Sequence, residues 1–309
     1  MREHKVVALG GGHGLAATLQ ALRRHTSDIT AVVTVADNGG SSGRLREEFN
    51  FLPPGDLRMA LAALCGDDTW GRGWAEILQH RFTSKGDLGG HALGNLLLTA
   101  LWEQNPDPIY GLKRVGELLR VVGKVLPMSL TPLDIEATFL DGDQERIVRG
   151  QTQVAVAPGR VSSLRLIPAN PEPTPEVLQA IEEADVITLG PGSWISSVAP
   201  HFLIRAEIEA IISSKAKKIV LFNLLENGQT KEMARYTPSE HLALLLNLSP
   251  SFTFDIGLID KQVIATDPDV EVLVESSGGR VVSADLCDIH NPLHHDIEKL
   301  NLAFGHIFS

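Results

Sequence analysis

Five residues, Gly10-Gly11-Gly12-His13-Gly14, separate the apolar run Val6-Val7-Ala8-Leu9 from a helix-like run over 15–24. A strand, a glycine turn and a helix start in that order leave backbone N–H groups unpaired beside a positive helix end, which is a cradle for phosphate. Read as G-x-G-x-x-A, the turn uses Gly12, Gly14 and Ala17. The next apolar run, 29–35, ends beside Asp37, close to where a dinucleotide fold places the acid that holds a ribose hydroxyl.

The remaining chain extends that unit. Helical patterns over 56–64, 74–79, 91–102 and 109–121 follow, and strand-like runs over 185–189, 218–223 and 254–259 alternate with helical patterns over 177–183 and 239–246. Short strands are expected at 270–274 and 280–284, and a closing helix at 292–308. Continuous apolar strands alternating with helices predict an α/β fold, a Rossmann-like three-layer sandwich with a mostly parallel sheet. Residues 135–156 read instead as a β-hairpin turning at Asp141-Gly142, an inserted region near 130–165. The four prolines at 168, 171, 173 and 175 mark a connecting loop, so one domain over 1–309 is expected.

Composition narrows the function classes. With 27 Lys plus Arg against 38 Asp plus Glu, the formal charge of −11 repels polyanions, so no nucleic-acid partner is expected. A small phosphorylated ligand in a local basic pocket is compatible with it. No run approaches the ~18 apolar residues of a membrane span, and no apolar leader precedes the first strand. Cys65 and Cys287, both in segments that read as buried, give no disulfide framework, and a reducing cytoplasm is the expected location.

The richest chemistry follows the second strand, at Asp37-Asn38-Gly39-Gly40-Ser41-Ser42-Gly43-Arg44-Leu45-Arg46. It reads as a glycine-rich loop whose backbone wraps an anion while Arg44 and Arg46 bond phosphate oxygens. Asp37 is placed to accept from a sugar hydroxyl or to hold a divalent cation through water. In Pro53-Pro54-Gly55-Asp56-Leu57-Arg58, Asp56 reads as a helix N-cap or a catalytic acid. Arg58 in a first turn opposes the helix dipole unless an anion sits there.

The cluster His80-Arg81-Phe82 precedes a further glycine loop that leads to His91, Gly94 and Asn95. His91 at a helix start, with Asn95 one turn on, is a candidate acid, base or phosphate donor. A second glycine turn, Gly190-Pro191-Gly192-Ser193, follows a strand and precedes Trp194, which offers a stacking surface for a base. It fails the G-x-S-x-G elbow, so binding rather than hydrolysis is expected. The polar stretches Asn227-Gly228-Gln229-Thr230 and Tyr236-Thr237 read as a cover over a ligand. The segment His290 to Asp296 reads as a helix start with one functional histidine, and no metal site is expected there because no Cys or Glu-x-x-His pattern accompanies its histidines.

Taken together, G-G-G-H-G-L, T-V-A-D-N-G-G-S-S-G-R-L-R, P-P-G-D-L-R, H-R-F, G-H-A-L-G-N-L, G-K-V-L-P and G-P-G-S-W, in order over about 5–245, resemble the gluconeogenesis factor (YvcK-like) family. That family belongs to the 2-phospho-L-lactate transferase (CofD-like) superfamily. The resemblance implies a cytoplasmic, Rossmann-like protein that binds UDP-N-acetylglucosamine and is needed for normal cell shape and growth on gluconeogenic carbon. It places the crevice at Gly11, Gly12, Gly14, Asp37, Gly39, Gly40, Ser41, Arg44, Asp56, Arg58, His91, Asn95 and the Gly190 to Ser193 turn. The chain departs from the pattern at His13, where relatives usually have Thr, at Asn38, where many have a second Asp, and at His294, where an Arg is common.

Two functions are therefore expected in competition. One is a nucleotide-sugar-binding regulator, a homodimer with envelope-synthesis protein partners and no demonstrated catalysis. The other is a Mg2+-dependent transferase acting on a nucleotide diphosphate donor, with Asp37, Asp56 and His91 as candidate catalytic groups. The binding residues expected for either are Gly11, Gly12, His13, Gly14, Asp37, Asn38, Gly39, Gly40, Ser41, Ser42, Arg44, Arg58, His91, Asn95, Gly190, Gly192 and Ser193. An NAD-dependent oxidoreductase ranks last, because arginine and serine crowd the loop after Asp37.

Overall fold

The computed structural model describes residues 3–142, 144–224 and 236–308. Its main sheet has seven strands: β1 Val6–Gly10, β2 Ile29–Val33, β3 Lys124–Pro127, β7 Val186–Leu189, β8 Lys217–Leu221, β9 Ile256–Asp260 and β10 Arg280–Ala284. The order is β10-β9-β8-β7-β1-β2-β3, and every pairing is parallel. β1, β2, β7 and β9 are buried along their whole length, as strands covered on both faces must be.

From β1 the chain steps outward through β2 to β3, then returns to the other side of β1 at β7 and steps outward again. The connections leaving β1 and β7 therefore diverge, which opens a crevice at the carboxyl end of the two central strands. Two helix groups cover the sheet. The helices Gly12–Leu22, Pro54–Ala63 and Ile297–Phe308 pack together, as do Pro175–Glu183, Ala199–Leu203, Arg205–Ser213 and Pro238–Leu248.

A second sheet, β5-β4-β6, is built from β4 Asp134–Asp141, β5 Gln144–Arg149 and β6 Arg160–Ile167, all antiparallel. The expected hairpin over 135–156 ends earlier than predicted. After Arg149 the chain takes Gly150 at φ 96 and enters a helix, Gln151–Val156, before the unanticipated third strand. That helix touches the π-helical turn Trp194–Val198, which brings the small sheet beside the crevice.

Other expectations change. The loop expected over 37–46 becomes helical at Gly40, in the helix Gly40–Phe49, because Ser41, Ser42 and Leu45 present one buried face at helical spacing. The strand expected at 270–274 is instead the helix Asp269–Ser276. Val270 and Val274, four apart, are both buried, whereas Val272 is 66% exposed, so a period of two is excluded. β3 is four residues ending in Pro127 and carries little sequence pattern. The last helix starts at Ile297 rather than 292, where Asp296 Oδ1 accepts from the amides of Glu298 (2.8 Å) and Lys299 (3.0 Å). Cys287 is half-buried, unlike the buried Cys65.

Candidate functional site

The site forms where helix N-termini meet at the carboxyl end of the sheet. The turn after β1 runs directly into the helix Gly12–Leu22, and the segment after β2 into Gly40–Phe49. The helices Pro54–Ala63 and Leu93–Gln104 bring two further first turns to the same region. Each brings a positive dipole end, although the Gly12 amide already bonds Asp56 and the Leu93 amide bonds the His80 carbonyl.

Two carboxylates face this array. Asp37 Oδ1 accepts from the amide of Gly39 at 2.8 Å, which fixes it at the head of its segment. Asp56 is not the expected N-cap: Pro53 occupies that position, so Asp56 is third in its helix and points across to the backbone amide of Gly12. Burial, reinforced by the negative charge of Asp37, lifts its pKa to about 7 against the pull of Gly12 and Arg58. Carboxylates are the oxygen-ligand type that divalent cations take. Among the described residues, no group of three or more His, Cys, Asp or Glu side chains could hold a metal ion.

Near the carboxylates runs a chain of four buried polar side chains. Arg58 Nε donates to Asn95 Oδ1 at 2.9 Å, Asn95 Nδ2 donates to Ser41 Oγ at 2.9 Å, and Ser41 Oγ lies 2.9 Å from His91 Nδ1. Arg58 is 3% exposed, and burial with Arg81 nearby lowers its guanidinium to about 10, so it stays charged at neutral pH. Its two terminal NH2 groups have no hydrogen-bond partner among the described residues. His91 lies two residues before its helix rather than at the start. It is fixed there by the bonds from Phe82 N to its carbonyl (3.0 Å) and from Leu93 N to the carbonyl of His80 (2.9 Å).

Positive groups crowd one another in this region. Burial, Arg44 and Arg81 hold the His91 pKa below the ordinary histidine value, with Glu48 opposing. Solvent-facing His13 stacks on His294, with ring centroids 5.6 Å apart. Crowding by protein, then His294, Arg58 and Arg81, lowers its pKa as well. Arg81, to which the sequence assigned no role, and His294, in the segment expected to carry one functional histidine, are members of this cluster. The H-R-F motif was the available signal for Arg81. His294 lies far along the chain and becomes visible only once the fold delivers it.

Other expected members have structural work. Asn38 accepts from Thr152 N (3.1 Å) and Oγ1 (3.2 Å) and donates to Gln153 Oε1 (3.1 Å), fastening the small sheet's helix to the Asp37 segment. Arg44 donates to the carbonyls of Asp87 (3.3 Å) and Gly89 (2.8 Å), tying down the glycine loop before His91. Arg46, expected to meet phosphate, instead bonds Leu133 O and pairs with Asp134, both at 2.8 Å. Ser42 is buried where a side chain at Gly55 would strike its hydroxyl, and Gly40 takes φ +48 at the helix start.

The glycine turns after β1 and β7 pack on each other. A Cβ on Gly14 would collide with Pro191 O, and one on Gly192 would lie 3.5 Å from Gly11 O. Asn223 clamps Gly192, accepting from its amide (2.8 Å) and donating to its carbonyl (2.7 Å). Ser193 Oγ caps the π-helical turn, accepting from Ser196 N at 2.9 Å, and Gly190 takes φ +78. Trp194, expected as a stacking surface, is 2% exposed and stacks on His241, so it belongs to the core. Tyr236 accepts from Val161 N (2.6 Å) and Thr237 caps a helix, whereas Asn227 to Thr230 lie outside the described residues.

A family model described as 2-phospho-L-lactate transferase CofD matches residues 6–301. The chain belongs to the CofD family. Within the CofD family it is similar to gluconeogenesis factors. A relative from Mycobacterium tuberculosis, provisionally so named, is 46% identical over 297 residues, 94% of this chain and 86% of that protein. The Bacillus subtilis gluconeogenesis factor is 39% identical over 296 residues, 96% of this chain and 87% of that protein. The crystal structure of a UPF0052 family member from Bacillus halodurans superposes with a TM-score of 0.85 at 35% identity, covering 98% of this chain and 99% of the other. This CofD-family chain is thus of the gluconeogenesis-factor (YvcK-like) type. No helix of its described residues is long and apolar enough to cross a membrane.

Proposed function

We propose that the chain is a cytoplasmic regulatory protein that binds a nucleotide sugar of the UDP-N-acetylglucosamine type by its diphosphate, linking carbon metabolism to cell shape and envelope synthesis. The observation that carries this reading is Arg58. A buried guanidinium with two unpartnered NH2 groups, among several helix N-termini and beside His13, His91 and Arg81, is what a desolvated phosphate group requires. Burial, then His294, Arg58 and Arg81, lowers the proton affinity of His13, and burial with Arg81 lowers that of Arg58, so a bound anion would offset an unfavourable field. The gluconeogenesis-factor relatives support the regulatory role.

A second reading, a Mg2+-dependent transferase using a nucleotide diphosphate donor, is favoured by the Asp37 and Asp56 carboxylates and by the transferase description of the family. Asp37 and Asp56 would share the cation with diphosphate oxygens, and the ion would neutralise charge on the transferred group. Titration calorimetry with UDP-N-acetylglucosamine, GDP and NAD, each with and without Mg2+, separates the readings. Binding of the UDP-sugar without turnover is expected. Binding of NAD alone contradicts the proposal, and Mg2+-dependent consumption of a diphosphate donor moves it to the second reading.

A further inference from the structure

We propose that His91 serves the site as a neutral hydrogen-bond donor through Nε2, with its tautomer set by Ser41, and Ser41 in turn set by Asn95 and Arg58. The inference rests on the diphosphate reading for its ligand but on geometry for its chemistry.

Arg58 starts the chain because its Nε can only donate. The atom of Asn95 facing it at 2.9 Å is therefore Oδ1, and the amide NH2 of Asn95 is turned toward Ser41 Oγ at 2.9 Å. Ser41 thus accepts from Asn95. Among the described residues its hydroxyl has one other partner, His91 Nδ1, also at 2.9 Å. Were Nδ1 protonated, Ser41 would accept twice and its own proton would be buried without an acceptor, an arrangement that folded proteins avoid. The hydroxyl therefore donates to Nδ1, and the imidazole proton resides on Nε2. The polarity of the whole chain follows from one charged group that cannot reverse its role.

Nε2 has no partner among the described residues and is not enclosed, although the His91 residue as a whole is buried. Burial favours the neutral imidazole first, and of the charged groups that face the ring Arg44 and Arg81 add to it while Glu48 opposes. A neutral Nε2–H donates to an anionic ligand without first having to gain a proton, whereas a base at this position would need a free lone pair on Nε2. Ser41 is accordingly a positioning residue, and its helix supplies the backbone that holds it there.

The tautomer is read in the unsubstituted protein by long-range proton–nitrogen NMR at pH 7, with the His91 signal assigned by its loss in His91→Ala. Protonated Nε2 with bare Nδ1 is expected, and a proton on Nδ1 overturns the inference. Inorganic pyrophosphate and UDP-N-acetylglucosamine are then titrated into wild type, Ser41→Ala, His91→Ala and the double variant. Each single change is expected to weaken binding about tenfold, with the double variant no weaker than His91→Ala, because Ser41 acts through His91. Additive losses overturn the positioning role. If wild type binds neither probe, the diphosphate reading fails and the donor role with it, whereas binding by wild type with the wrong tautomer removes only this inference. Since the tautomer needs no Ser41 variant, a Ser41→Ala protein that does not fold leaves the question decided.

Discussion

A Cβ on Gly11 would stand 2.5 Å from Asp56 Oδ2, so the carboxyl of one helix fills the space that a side chain after β1 would take. This glycine takes φ −165, extended backbone that any residue adopts, and its requirement is steric. Gly11→Ala is expected to fold, lose about 1–3 kcal/mol in urea denaturation and displace Asp56. Gly14→Ala meets the rigid carbonyl of Pro191 instead and is expected to cost more than Gly11→Ala. Equal losses would contradict this account of the two turns.

Asp56 sets a pH dependence whose sign is fixed. Its folded pKa of about 7 lies above the unfolded value of 3.8, so the folded state holds the extra proton between those limits. Stability from this group is present below about pH 4 and lost as pH rises toward 7. Asp56→Asn is expected to gain on the order of 1–2 kcal/mol over wild type at pH 8 and to lose that advantage at acid pH. Unfolding curves at the two pH values measure it, and an equal difference at both would contradict the assignment.

His241 and His295 act in the opposite direction. Burial lowers each to about 4, the Phe222 carbonyl opposing it for His295, so both are neutral in the fold. The stability they contribute is present above about pH 6.5 and lost as pH falls toward 4. Among the described residues His241 Nε2 is buried without a partner, while its ring stacks on Trp194 at an interplanar angle of 3°. His241→Phe is expected to keep the stack, add about 1 kcal/mol at pH 7 and flatten the acid loss. A variant as acid-sensitive as wild type would transfer the effect to His295.

Arg44 and Arg58 separate cleanly. Arg44 bonds the Asp87 and Gly89 carbonyls from an exposed position, so Arg44→Ala is expected to loosen that loop and weaken pyrophosphate binding by less than about tenfold. Arg58→Lys keeps the charge but loses the fork, and is expected to weaken binding more than Arg44→Ala in the same titration. The reverse order would place the anion at Arg44.

Much of this was legible in the sequence because local patterns coincide with the sheet order. The strand, glycine turn and helix at Val6 to Leu22, repeated after Leu189, placed the crevice at the meeting of two turns. Which glycines serve a ligand and which serve packing was not legible, since Gly14 and Gly192 are explained only by the partner turn. Ser41, Arg58, His91 and Asn95 were all marked, yet their connection was hidden, because a hydrogen-bond chain across three helix starts leaves no sequence spacing. Val270 to Val274 misled through β-branched content, which the i, i+4 burial of its ends outweighs.

The central claim is that Arg58 holds a diphosphate in the crevice, and thermal unfolding of wild type and Arg58→Met with UDP-N-acetylglucosamine tests it most directly. Methionine keeps the apolar stem and removes the charge. At 100 times its dissociation constant the ligand is expected to stabilise wild type by about 2.7 kcal/mol and to leave folded Arg58→Met unshifted. An equal shift in both proteins, or none in wild type, would contradict the account.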